Sequence, residues 1–259
     1  MAWTETYSVG TEHVPAVGYG LQDEDAHALA EPIQELLQDL KGAEDVRRSL
    51  EEVTRTAFRV DRLETVLSAT GTVSEWRVGE SLAEYHMASQ HSCMFPWPSG
   101  RDLKNPGTSG GGVDLIGFDT SGEKAALALG EVKTSRQQLW PPSALTGRHG
   151  LEKQLEGLRN NDDRKTWAVR YIAMHAVGKD WHGIFTEAMV RFLDDPQDVQ
   201  LFGTLVHIAD SNELDLKTRA KNLSDGCPPA TKIRLTAIYV SDQGLQIMAG
   251  DQVQWETPQ

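Results

Sequence analysis

The sequence predicts an α/β fold in which a mixed β-sheet is flanked by helices. Two observations carry that expectation. Residues 201–208 and 233–240 are continuous apolar runs with β-branched residues, of strand length and of the kind buried on both faces of a sheet. Two more apolar runs, Val113–Phe118 and Ala126–Lys133, flank Asp119-Thr120-Ser121-Gly122-Glu123, a turn composition that closes an antiparallel hairpin. Helical spacings lie between and around these runs, and strands alternating with helices make a layered sandwich. At 259 residues the chain is long enough for a large core. It divides into an N-terminal helical portion, residues 1–70, packed on an α/β domain with a C-terminal extension, residues 71–259.

Each element has its own signal. Glu24 to Leu40 reads as an acidic amphipathic helix. Ala43 to Phe58 reads as a second, with Val46, Leu50, Val53 and Ala57 on one stripe. A third helix, Arg77 to Met87, carries Val78, Leu82 and Tyr85 as its apolar stripe, with Glu80 and Glu84 four apart on one face. From His91 to Gly112 the chain reads as a Pro- and Gly-rich loop whose end, Ser109-Gly110-Gly111-Gly112, lets backbone approach a phosphate closely. Pro141 and Pro142 end regular structure after the hairpin. Helices are expected over His149–Leu158, Arg164–His175, Lys179–Leu193 and Glu213–Leu223, and a last short strand over Gln246–Ala249.

Chemistry concentrates on the hairpin. Alternation along a strand puts Glu131 and Lys133 on one face and turns Val132 away. Seventeen positions separate Asp114 from Glu131, which suits a strand out, a turn and a strand back, so Asp114 sits opposite Glu131. Two carboxylates that close repel unless a cation lies between them, and an all-oxygen pair suits Mg²⁺. A lysine beside such a pair can orient or deprotonate water, or hold phosphate. Stacked on the helix before the hairpin, Glu80 and Glu84 repel each other unless a cation or base compensates.

The pattern Asp114…Glu131-Val132-Lys133 resembles the PD-(D/E)xK nuclease superfamily, with Val113 standing where the family name has proline. The resemblance implies a restriction-endonuclease-like core and a Mg²⁺- or Mn²⁺-dependent endodeoxyribonuclease. It implies a catalytic set of Asp114, Glu131, Lys133 and a helix acid, Glu80 before Glu84. By the same analogy Asp114, Glu131, Glu80 and the Val132 carbonyl would hold the metal. Gln154 matches a glutamine that some members carry on the helix after the E-x-K strand. More narrowly, Val78-Gly79-Glu80, Phe95-Pro96-Trp97-Pro98, Gly112–Phe118 and Gly130–Lys133 follow the order and spacing of the nuclease subunit of Hachiman-type bacterial anti-phage systems. That likeness implies DNA as substrate and a separate helicase as partner. It covers the central third of the chain.

Charge bears on how DNA would be met. The net charge is −13 and the pI about 5.0. A protein that grips DNA unaided presents a basic surface. Either the acids gather away from a local basic rim, or a basic partner delivers the DNA. The candidate rim is Arg101, Lys104 and Arg136, with Arg148 and Lys153 beyond. Cys93 and Cys227 are too few for a disulfide framework, and residues 1–5 lack a signal peptide's basic and apolar regions, so a cytoplasmic, membrane-free setting is expected. His86, His91 and Cys93 lack a fourth zinc ligand, and no phosphate-binding Gly-x4-Gly-Lys-Ser/Thr loop occurs. The rival readings are a nuclease fold kept as a binding subunit without turnover, and a stand-alone repair or restriction nuclease.

Overall fold

The computed structural model describes residues 3–51, 74–98, 101 and 112–250. The chain opens on two strands, β1 (Thr4–Gly10) and β2 (Pro15–Leu21), and not on helices. Thr-Glu-Thr-Tyr-Ser-Val-Gly alternates, but β1 is largely exposed, so few of its positions carry an apolar signal. Gly10, at φ +103°, makes the bend that any Cβ would oppose, and the Thr11 hydroxyl accepts from the Val14 N–H at 3.0 Å.

Two helices follow, α1 (Asp23–Gln38) and α2 (Leu40–Glu51). Three acids in the first turn of α1 complement its dipole, and Asp25 accepts from the Gln22 N–H at 3.0 Å. Of the stripe expected on the second helix, Val53 and Ala57 lie outside the described residues. Then come α3 (Glu75–His91), the short strand β3 (Cys93–Met94), β4 (Leu115–Asp119) and β5 (Ala126–Ser135). Four helices cross from β5 to β6 (Val199–His207): α4 (Ser143–Thr146), α5 (Leu151–Asn160), α6 (Asp162–Ala176) and α7 (His182–Asp194). After β6, α8 (Leu214–Ser224) leads to β7 (Lys232–Val240). The last element is a helix, α9 (Asp242–Ala249), where a strand is expected from the sequence. Ser241 caps it by accepting from the Gly244 N–H at 2.8 Å, and Leu245, Met248 and Ala249 are buried at helical spacing.

Among the described residues one mixed sheet runs β1-β2-β7-β6-β5-β4-β3. The four central strands β2, β7, β6 and β5 are parallel, and antiparallel strands flank them at both edges. The mixed α/β sandwich is therefore as expected, with an N-terminal hairpin added to its edge. On one face, Leu127, Leu129, Leu201, Leu205 and Leu235 pack under α5 to α8. On the other, Val206, Ile238 and Val240 pack with α1, α3 and α9, and Ala128, Val132 and Phe202 with Ala83 and Met87 of α3. No described helix is long and apolar enough to cross a membrane.

Candidate active site

A mismatch of strand lengths makes the site. β4 has five residues and β5 ten. Their antiparallel register runs from Asp119↔Ala126 to Leu115↔Gly130 and stops there. Beyond it, among the described residues, Glu131 to Ser135 pair with β6 alone, from Glu131↔Gly203 to Ser135↔His207. The edge that β4 leaves forms a corner.

Asp114 occupies that corner, one residue before β4 and opposite Glu131. Its Oδ2 accepts from the Val132 N–H at 2.7 Å, so a carboxylate continues the ladder where backbone ends. Lys133 Nζ lies 3.8 Å from the same oxygen. Within a strand, a residue's N–H and C=O point to the same edge, so the Val132 carbonyl also faces the corner. Glu131 is fully buried, on the sheet face of Leu127 and Leu129. Arg164 Nη2, from the first turn of α6, donates to Glu131 Oε1 at 3.2 Å, while Oε2 is buried without a hydrogen-bond partner. Gly203 lies opposite in the register, and the Leu155 and Leu151 side chains fill the space a Cβ would need there.

Burial raises the pKa of both acids. In Glu131, desolvation leads and the Asp114 charge adds to it, with Lys133 and Arg164 opposing. Asp114 is raised by desolvation against the pull of Lys133 and the Val132 N–H. Two carboxylates facing each other in a dry corner disfavour a second negative charge, which a cation would relieve. The orphaned Glu131 Oε2, the facing carboxylate and the adjacent backbone carbonyl are the hard-oxygen donors that a Mg²⁺ or Mn²⁺ ion takes, so the residues fit such an ion.

Among the described residues no three His, Cys, Asp or Glu side chains already converge as a metal ligand set. Glu80 Oε2 accepts from Arg77 Nη1 at 3.0 Å, one turn earlier on α3. α3 packs on the sheet face opposite Glu131, with Gly79 so close to Thr134 that a Cβ would stand 2.1 Å from its Oγ1. Glu80 still feels the corner. Its pKa is pushed up to about 7, chiefly by burial, with the Asp114 charge raising it and Arg77 and Lys133 lowering it. Glu84 is also pushed to about 7 by burial, and lines a cavity of about 650 Å³ among α1, α3, Met94, Phe95, Pro98 and Arg101.

Three of the expected rim cations, Arg101, Arg136 and Lys153, are engaged in ion pairs with acids of the chain. Arg101 grips Asp39 with two bonds of 2.6 Å. Arg136 bonds Glu75 at 2.7 Å and Asp242 at 2.5 Å, and Lys153 bonds Glu156 at 2.7 Å. Acids outnumber bases 38 to 25, so cations meet acids before they meet a ligand. Arg148 is exposed, and Lys104 lies outside the described residues. Burial pushes the Cys93 thiol up to about 12 and the His86 imidazole down to about 3.

Two residues join the site that the sequence left unused or in the background. Arg164 was unmarked, since nothing local separates it from any arginine in a helix's first turn. Its Nη1 donates to the Gln154 carbonyl at 3.0 Å. Gln154, considered from the family pattern, has its Oε1 buried and unpartnered beside that bond. Neither the known protein-family models nor the curated proteins contain a match to this chain.

Proposed function

We propose that this chain is a metal-dependent DNA nuclease of the PD-(D/E)xK type. The observation that carries the reading is the corner itself, where Asp114, Glu131 and Lys133 meet beyond the end of β4 and the fully buried Glu131 keeps an oxygen without a partner. Asp114, Glu131 and the Val132 carbonyl would hold one Mg²⁺ or Mn²⁺. Such an ion supplies a water of lowered pKa and offsets charge on the scissile phosphate. Lys133 Nζ orients the attacking water beside Asp114 and stabilises the phosphoryl oxygens as charge builds on them. The Val132 N–H fixes the Asp114 carboxylate. Glu80, whose charge is felt by Asp114 and Lys133, would be the helix acid of the set.

Partner and setting follow the resemblance: the effector of a bacterial anti-phage complex, cytoplasmic and working with a separate helicase. Arg101, Arg136 and Lys153 are engaged in internal ion pairs, which supports delivery of DNA by that partner. The test is cleavage of plasmid DNA in Mg²⁺, with and without a helicase partner. Lys133→Ala and Glu131→Gln should each lower the rate by roughly a hundredfold or more, and EDTA should stop the wild type. Glutamine is chosen because position 131 is buried and a truncation there would unsettle the fold. Undiminished cutting by either variant would mean that the corner is not the catalytic site, and no cutting by the wild type, with or without the partner, returns the chain to a binding subunit that kept the fold alone.

A further inference from the structure

We infer that Arg164 is a phosphate-binding residue held on Glu131 until a metal takes that carboxylate, an inference that rests on the nuclease reading above. Three observations support it. Among the described residues, the guanidinium makes two hydrogen bonds, one to Glu131 Oε1 at 3.2 Å and one to the Gln154 carbonyl at 3.0 Å. Its side chain is about a third exposed, while Glu131 beneath it is wholly buried. Arg164 therefore spans from the dry carboxylate to the surface, with donors to spare, since a guanidinium has five. The space it occupies is made by a glycine. A Cβ at Gly157 would stand 2.6 Å from Arg164 Nη1, so any other residue on that turn of α5 would push the guanidinium off its seat.

The physical logic is an exchange of partners. Without metal, Arg164 is the cation that offsets Glu131, and Lys133 is the one that offsets Asp114. A divalent ion on the two carboxylates replaces both, and an arginine displaced from a neutralised carboxylate seeks another anion. A DNA phosphate at the corner is that anion, and a planar fork suits it. Metal and DNA would thereby promote each other's binding through one side chain, by reciprocal linkage.

The experiment reads DNA affinity under conditions that do not cleave. A fluorescein-labelled duplex is titrated by anisotropy with wild type, Arg164→Gln and Gly157→Ala, in EDTA and in Ca²⁺. Wild type should bind roughly tenfold tighter in Ca²⁺ than in EDTA, the worth of one charge-assisted bond to phosphate. Arg164→Gln should lose most of that gain, keeping only the part the ion itself contributes at the phosphate. Gly157→Ala keeps the guanidinium but unseats it, and alanine favours a helix over glycine, so the variant should fold. It should bind DNA more tightly than wild type already in EDTA. A Ca²⁺ gain in Arg164→Gln as large as in wild type overturns the inference and makes Arg164 a structural support of Glu131. Direct Mn²⁺ titration of the free proteins separates this failure from that of the underlying reading. Wild type must bind Mn²⁺ and Asp114→Asn must not; if wild type does not bind it, the carboxylate site and the role of Arg164 fall together.

Discussion

Burial sets the charge of the acids around the corner, and it makes their pH dependence predictable in sign. Glu84 is raised from 4.5 to about 7, with desolvation as the main cause. Between those values the folded protein binds more protons than the unfolded chain, so stability from this group is full below the unfolded pKa and lost as pH rises through 7. Glu84→Gln removes the ionisable group. Its melting temperature should exceed that of wild type at pH 8 by several degrees more than at pH 5, and equal shifts at both pH values would contradict the burial argument. Glu80 carries the same shift but faces Asp114 and Lys133, so Glu80→Gln should lower Mg²⁺-dependent cleavage far more than Glu84→Gln. The opposite ranking moves the functional acid one turn along α3. At this scale the sequence was informative where chemistry and spacing coincide. The offset of Asp114 from Glu131 and the alternation of Glu131 with Lys133 both follow from strand geometry. The seat of Arg164 does not, because it depends on how α5 and α6 pack and on the missing Cβ of Gly157.

At the scale of elements, close approach of α3 to β5 sets where Glu80 can reach. Gly79→Ala would place a methyl 2.1 Å from Thr134 Oγ1 and should destabilise the protein by about 1–3 kcal/mol despite the better helix propensity of alanine. Thr134 carries a buried hydroxyl with no partner, so removing it costs no hydrogen bond. Adding Thr134→Ala to Gly79→Ala should restore most of the loss, measured by denaturant unfolding of the single and double variants. If the two effects simply add, the contact is not what separates helix from strand. Legibility varied by element for related reasons. β6 and β7 are buried on both faces and announce themselves as apolar runs, and α1, α3 and α5 to α8 show helical spacing. β1 has little apolar content because it is an exposed edge, and β3 is only two residues long. The segment of α9 contains enough apolar residues to pass for a short strand, and only its Ser241 cap marks it as a helix.

For the whole molecule, the proposed nuclease role makes net charge the term that would govern an encounter with DNA. At −13, the chain should bind naked duplex weakly, because long-range repulsion slows association and few counterions are released on contact. The purified chain should therefore cut intact duplex slowly at physiological salt and faster when a translocating partner presents the strand. Comparing the rates with and without a helicase and its nucleotide checks this. Rapid digestion by the chain alone would mean that net charge is a poor guide to the field at the corner.

The strand order carries a consequence for synthesis. β7, close to the C-terminal end of the described chain, lies between β2 and β6 and pairs in parallel with both. The N-terminal hairpin therefore leaves the ribosome long before its neighbour exists, and must wait through the whole of the middle of the chain. Until Lys232–Val240 arrives, β2 and β6 each present an open edge, and every residue of β6 is of the kind that ends up buried. A nascent or truncated chain lacking β7 would hold Asp114, Glu131 and Lys133 on an unfinished sheet, prone to edge-to-edge association. Completion of the polypeptide, more than any local motif, is the event that makes the corner a site.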